Sequence, residues 1–196
     1  MTSIDRELNT DRRIFKTKKA IYEALSVLLQ KKSINSITVT ELASAADINR
    51  KTFYRYYSTV NDVLDESINE LVNSFRDLII ELSKDYDILA PQTLFAALNI
   101  IITDADIAKN LFSSDNGDLL FNKLQNTLNE AILKEFEKNE IKMTVPEDQY
   151  HYVSSFIAGG MVSVYREWIS HPGKTSLDEM THTLSTLIIS GIHAVS

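Results

Sequence analysis

Thr38-Val39-Thr40-Glu41-Leu42-Ala43-Ser44-Ala45-Ala46-Asp47-Ile48-Asn49-Arg50-Lys51-Thr52-Phe53-Tyr54-Arg55-Tyr56-Tyr57 is the stretch that decides the fold. It opens as a capping box, with Thr38 as N-cap and Glu41 reaching back to it. Val39, Leu42, Ala43 and Ala46 then recur at i, i+3, i+4 and i+7, an apolar stripe whose small residues let a neighbouring helix approach closely. Only Asp47 and Ile48 follow before Asn49 caps a third helix running through Tyr57. Asp47 sits where the chain must reverse, and aspartate tolerates left-handed backbone better than most residues. Two short helices joined by about three or four residues, with an apolar residue in the turn, have helix-turn-helix spacing. Ile48, Phe53 and Tyr57 form the buried side of the third helix. Arg50, Lys51, Thr52, Tyr54, Arg55 and Tyr56 are left outside.

Working outward, residues 12–31 read as a helix with Ile14, Ile21, Leu25 and Leu28 on one face. After Thr59 a long amphipathic helix runs from Val60 to about Lys84. Pro91 opens the next, which carries Leu94, Phe95, Leu98, Ile101 and Ile102. A short segment from Asp104 to Phe112 follows, then helices over Leu119–Lys138, Pro146–Ser170 and Leu177–Ala194. Ser176 and Glu179 cap the last one, and His171-Pro172-Gly173 ends the one before. No strand-like alternation and no internal repeat interrupts this pattern. The expectation is an all-α chain of about nine helices: a helix-turn-helix head over residues 1–59 and a helical body over 60–196.

Charge divides along the same line. The chain carries −7 overall, but residues 1–60 hold eleven Lys/Arg against six acids, leaving −12 for residues 61–196. A cationic head on an acidic body suits a polyanionic partner for the head alone. A plain solvated basic face is the competing explanation.

The quoted run resembles the helix-turn-helix of TetR/AcrR-family regulators, most specifically in Thr52-Phe53-Tyr54 followed by Tyr56-Tyr57. The resemblance implies that the third helix enters the major groove of double-stranded DNA. Arg50, Lys51 and Thr52 would read bases near its start; Tyr54 and Tyr56 would touch phosphates or bases, and Thr38 a backbone phosphate. Asn49, Arg55 and Thr59 complete the expected DNA-binding set. The chemistry agrees, since Arg and Lys address guanine O6 and N7 while hydroxyls and phenols pin the backbone. Two departures stand out: Asp47 replaces the usual turn glycine, and Val60 replaces a lysine that opens the fourth helix. Thr59 and the helix N-terminus would then have to take over that phosphate contact.

Phe156-Ile157-Ala158-Gly159-Gly160-Met161, with Arg166-Glu167-Trp168-Ile169 after it, resembles the C-terminal domain of a Firmicutes-type branch of the family. That implies a homodimer built on the last two helices, with Gly159, Gly160, Ser163, Leu184, Leu187 and Ile188 at the interface. Two glycines inside a helix cost about 1 kcal/mol each relative to alanine; close helix approach and a kink beside a pocket explain them equally. The resemblance also implies a small-molecule effector in the body. Phe75, Phe95, Phe112, Phe121, Phe156, Tyr165 and Trp168 are the candidate lining residues, although aromatics at helical spacing also build ordinary cores.

Other chemistry is missing. There is no cysteine, and the four histidines are scattered without metal-ligand spacing, so no metal or cofactor is expected. No glycine-rich phosphate loop or nucleophile elbow appears, and the acidic pairs Asp104/Asp106 and Glu135/Glu137 are explained by helix ends and solvated faces. An enzyme is not expected. Neither a signal peptide nor a membrane span is apparent, which makes a cytoplasmic protein the expectation. The function expected is a ligand-responsive, DNA-binding repressor acting on a palindromic operator. The alternative is a protein-interaction co-regulator or activator built on the same fold.

Overall fold

Helix punctuation in the sequence becomes helix boundaries in the computed structural model. Its backbone is described for residues 3–87, 90–104, 108, 111, 117–138, 146–171 and 173–194, and its side chains from residue 12 to 187 within those ranges, except 104 and 138. The described residues form eight α-helices: α1 Ser3–Leu29, α2 Val39–Ala45, α3 Arg50–Tyr54, α4 Val60–Leu82, α5 Pro91–Asp104, α6 Gly117–Lys138, α7 Tyr150–Ser170 and α8 Leu177–Ala194. Short 3-10 turns lie at Ile34–Ser36 and Glu147–Gln149. No strand occurs among the described residues. The segment Asp104–Phe112, expected as a further short helix, falls largely outside them.

Three boundaries differ from the sequence expectation. Helix α1 begins at Ser3 rather than near Arg12, because no glycine or proline interrupts residues 3–11 and helix can propagate through a largely polar stretch. Helix α3 ends at Tyr54, where Arg55 N–H donates to Thr52 O and Tyr56 N–H to Phe53 O, tightening the last turn into 3-10 form. Pro146 stands in extended backbone ahead of a 3-10 turn, so α7 starts at Tyr150. The cap of α8 matches its reading: Glu179 N–H donates to Ser176 Oγ at 3.2 Å, while Ser176 N–H donates to the Glu179 carboxylate at 2.9 Å. Gly173, at φ +88°, supplies the left-handed residue after α7 that a side chain would strain.

The chain forms two compact units, Met1–Leu71 with Thr103–Asp118, and Val72–Ile102 with Leu119–Ser196. In the first, Ile21, Leu25, Leu42, Phe53, Val63 and Ile68 have no exposed surface. Ala43 and Ala46 are also buried, as the small-residue stripe on α2 requires. In the second, Phe75, Phe95, Leu124, Leu128, Ile132 and Tyr165 have none. Tyr165 keeps its phenol satisfied by donating to Asn99 Oδ1 at 3.2 Å and stacks on Phe95 with ring centroids 6.0 Å apart. Gln92 of α5 donates to Ser185 Oγ of α8 at 2.8 Å. No described helix is long and apolar enough to cross a membrane.

A candidate nucleic-acid interface

The turn between α2 and α3 is set by hydrogen bonds that only one backbone path allows. Ile48 N–H donates to Ala43 O at 3.0 Å and Asp47 N–H to Ser44 O at 3.2 Å, the two bonds of a Schellman C-cap. Asp47 takes the left-handed position at φ 52°, where glycine is the commonest occupant. Both flanking helix starts are closed by side chains. Thr38 Oγ1 accepts from Glu41 N–H at 3.2 Å, and Asn49 Oδ1 accepts from Thr52 N–H at 2.8 Å and from the Thr52 hydroxyl at 3.1 Å. The Glu41 carboxylate meets Lys32 Nζ at 2.6 Å, and that charged hydrogen bond holds its carboxyl below the ordinary range.

This turn fixes which way α3 faces. Phe53 is fully buried and Tyr57 nearly so, with ring centroids 5.8 Å apart. Arg50, Lys51, Tyr54 and Arg55 are exposed, as are Thr38, Asn49 and Thr59, while Thr52 and Tyr56 are half-buried. The outward cations rest against phenols: the Arg50 guanidinium lies 5.8 Å from the Tyr54 ring centre and that of Arg55 lies 5.9 Å from Tyr56. No acidic residue occurs between Ile48 and Asn61. The face therefore offers guanidinium forks, an ammonium and phenol donors, a set that recognises phosphate oxygens and guanine edges.

At the start of α4 the geometry is different from what the sequence suggested. The Asp62 carboxylate accepts from Ser58 N–H at 2.8 Å and Thr59 N–H at 2.9 Å, and Asp62 N–H donates to Thr59 Oγ1 at 3.2 Å. Donation from the Thr59 amide, and then from its hydroxyl and the Ser58 amide, holds the Asp62 carboxyl below its usual range. The Ser58 and Thr59 amides are thus held by the protein's own carboxylate, and the Thr59 hydroxyl expected to serve a phosphate already accepts from the Asp62 amide. Val60 is buried in the first unit's core.

A bracing cluster was not legible in the sequence. Lys18 Nζ of α1 lies 2.6 Å from Glu66 Oε1 of α4, Tyr22 donates to Glu70 Oε1 at 3.2 Å, and the Tyr57 hydroxyl donates to that of Tyr22 at 3.3 Å. Partial burial alone would raise the Glu66 carboxyl, but donation from Lys18, Tyr57 and Tyr22 outweighs it and holds the group below the ordinary range. Burial pushes the Tyr22 and Tyr57 phenols well up, so both stay protonated. Residues so distant in sequence leave no local pattern to read.

The body residues are distributed less simply. Phe75, Phe95, Phe121 and Tyr165 are buried, and Trp168 lies against Tyr165 with centroids 5.6 Å apart. Trp168 also borders a cleft of about 430 Å³ shared with Glu167, His171, Lys174, Met180 and Thr183. Phe156 does not join them. It is 77% exposed, because the buried stripe of α7 runs through Ile157, Ala158, Met161 and Tyr165 and leaves Phe156 on the other side. Phe112 lies outside the described residues. Of the expected interface, Gly160, Ser163 and Leu187 are exposed, while Gly159 and Leu184 are half-buried. The side chain of Ile188 lies outside the described residues. A Cβ on Gly159 would meet Gln125 Nε2 at 3.3 Å, so its smallness serves α6; one on Gly160 would meet open space. No cluster of metal-ligating side chains occurs among the described residues.

Comparison with known proteins places this geometry in context. Residues 90–190, just over half the chain, match the family described as the transcriptional regulator C-terminal region of TetR type. The HTH-type transcriptional regulator YxbF of Bacillus subtilis is 32% identical over 65 residues, spanning 33% of this chain and only 17% of YxbF. A TetR transcriptional regulator from Streptococcus agalactiae 2603V superposes with a TM-score of 0.67 at 23% identity, covering 93% of this chain and 98% of that one. The regulator FadR from Bacillus subtilis, solved with stearoyl-CoA, gives 0.60 at 17% identity, covering 89% and 99%. The two structural likenesses are likenesses of fold.

Proposed function

The chain belongs to the TetR family of transcriptional regulators, and from that premise we propose that it is a repressor that binds a palindromic operator as a homodimer and releases it when a small molecule occupies the body. The observation that carries this reading is the orientation of α3. Phe53 and Tyr57 anchor it in the core, and Arg50, Lys51, Tyr54 and Arg55 face solvent without a neighbouring acid in the sequence. Residues 1–59 act as the DNA-binding head and residues 60–196 as the body. Arg50, Lys51 and Thr52 read bases, and Thr38, Asn49, Tyr54, Arg55, Tyr56 and Thr59 flank them and fix register on the backbone. Thr59 does so only by redirecting a hydroxyl now shared with Asp62. The reading involves no catalysis.

The partner for dimerisation is a second copy of the outward faces of α7 and α8. Phe156, Gly160 and Ser163 follow one another along α7 at helical spacing, and Leu187 is an exposed apolar side chain of α8. Phe156 belongs to this face in the proposal, and Gly160 gives the partner close access. Two heads related by a dyad must then sit about 34–36 Å apart, or a multiple of it, to enter successive major grooves. The effector is an apolar or aromatic small molecule held near Phe75, Phe95, Phe121, Tyr165 and Trp168. It releases DNA by binding better to a body conformation in which the head spacing is wrong. Because FadR of Bacillus subtilis is seen with stearoyl-CoA, acyl-CoA thioesters of graded chain length are the first probes to try.

The test is selection of bound fragments from a genomic DNA library by the purified chain at several salt concentrations. Enrichment of an inverted repeat supports the reading. Absence of any enriched inverted repeat at low and moderate salt overturns it in favour of a protein-interaction role for the same fold.

A further inference from the structure

Two hydrogen bonds fix how α1 and α4 run beside each other. Lys18 to Glu66 and Tyr22 to Glu70 each span 48 residues, and each bond lies one helical turn beyond the other on both helices. The two helices therefore point the same way in matched register. Carried back along that register, Arg12 stands level with Val60 and Lys16 with Leu64. Helix α1 starts at Ser3, so its first residues overhang the start of α4 by roughly 13 Å at about 1.5 Å per residue. That end of the first unit is also where the turn carrying Tyr56 and Thr59 leaves α3.

One face of α1 at this end is unusual. Arg12, Phe15, Lys16 and Lys19 recur at i, i+3, i+4 and i+7, and all four are exposed, Phe15 to 69%. Among the described residues Arg12 and Lys16 enter no ion pair, and Lys19 reaches only Glu23, at 3.8 Å. An aromatic ring left in water among three cations is costly on a helix that has a core to pack against. It is suited to a surface that is both anionic and partly apolar, as a deoxyribose–phosphate backbone is. The start of α4 cannot supply cations at this level, since Val60 is buried and Asp62 places a carboxylate there.

We propose that Arg12, Phe15 and Lys16 of α1 form a second contact to duplex DNA, one that grips sugar and phosphate beside the groove read by α3 and carries no sequence preference of its own. It rests on the DNA-binding reading and extends it to a helix outside the helix-turn-helix pair. Arg12 and Lys16 each neutralise a phosphate and release counterions, and Phe15 packs on a sugar.

The experiment uses the full-length chain, a mixed-sequence duplex of about 40 base pairs, and salt from about 50 to about 200 mM. Arg12→Ala/Lys16→Ala is compared with wild type and with Lys84→Ala/Lys174→Ala, which removes equal charge from the second unit. The expected result is a salt slope smaller by about one for each phosphate that the variant no longer neutralises, with base preference unchanged on the selected operator. The control pair keeps the wild-type slope, and Phe15→Ala weakens all sequences alike without altering it. If wild type binds the duplex and Arg12→Ala/Lys16→Ala keeps the full slope, or changes base preference instead, the α1 grip is overturned while the α3 reading stands. If wild type binds no duplex at all, both fall. Circular dichroism of each variant establishes that the helices remain.

Discussion

Lys18 Nζ and Glu66 Oε1 lie 2.6 Å apart and join α1 to α4, with Tyr22 and Tyr57 completing the cluster. The pair is partly solvated, so its worth is below about 1 kcal/mol, but its titration has a definite sign. The Glu66 carboxyl is depressed in the folded chain. Its contribution is present above the unfolded carboxyl range and is lost as pH falls through the folded value. Glu66→Gln should lower the melting temperature slightly at pH near 7 and bring it toward wild type in acid, below the ordinary glutamate range. Parallel melting curves at every pH would remove the cluster from the stability account.

The left-handed backbone at Asp47 makes a sharper prediction. Asp47→Gly relieves the positive φ and should raise stability by up to about 1 kcal/mol. Asp47→Val puts a β-branched side chain there and should cost about 1–2 kcal/mol. Urea denaturation of the two variants decides it, and equal midpoints would mean that the turn carries no such strain.

Arg50→Ala and Lys51→Ala should each cost about 1–3 kcal/mol on the selected operator and relax the sequence preference. Neither should unfold the head, because both side chains are exposed. Binding to operator variants changed at one base pair at a time measures this. A uniform loss across all sequences would reassign these residues from reading bases to holding phosphates.

Phe156→Asp with Leu187→Asp should yield a monomer by sedimentation at concentrations where wild type is dimeric. Both side chains are exposed, at 77% and 63%, so the fold of the second unit should survive. A variant that remains dimeric would move the interface elsewhere.

The head was legible because its signals are local. Thr38, Asp47 and Asn49 each do in the structure what their side-chain chemistry dictates within four residues of chain. The buried faces of α2 and α3 follow from the spacing of Leu42, Ala43, Phe53 and Tyr57. What escaped was either non-local or non-periodic. Lys18 and Glu66 share no pattern; Thr59 and Asp62, by contrast, stand at the same spacing as Thr38 and Glu41, and that local signal could have found the cap of α4. The first turns of α1 carry only Ile4 and Leu8 among polar and charged residues, a short signal to announce them. Phe156 escaped for a different reason: an aromatic residue next to a buried stripe was read as part of it, although at about 100° per residue it falls on the side away from Ile157, Ala158, Met161 and Tyr165.

Thr38, Asn49 and Thr59 each accept a first-turn amide with their own side-chain oxygen, so α2, α3 and α4 need no ligand to hold their starts in place. Helix α3 is thus shaped before any partner arrives, and the entropy of ordering it is lost in folding rather than in association. Encounter with DNA should accordingly proceed in one kinetic step at a rate set by electrostatic attraction, with no slow rearrangement of the head behind it.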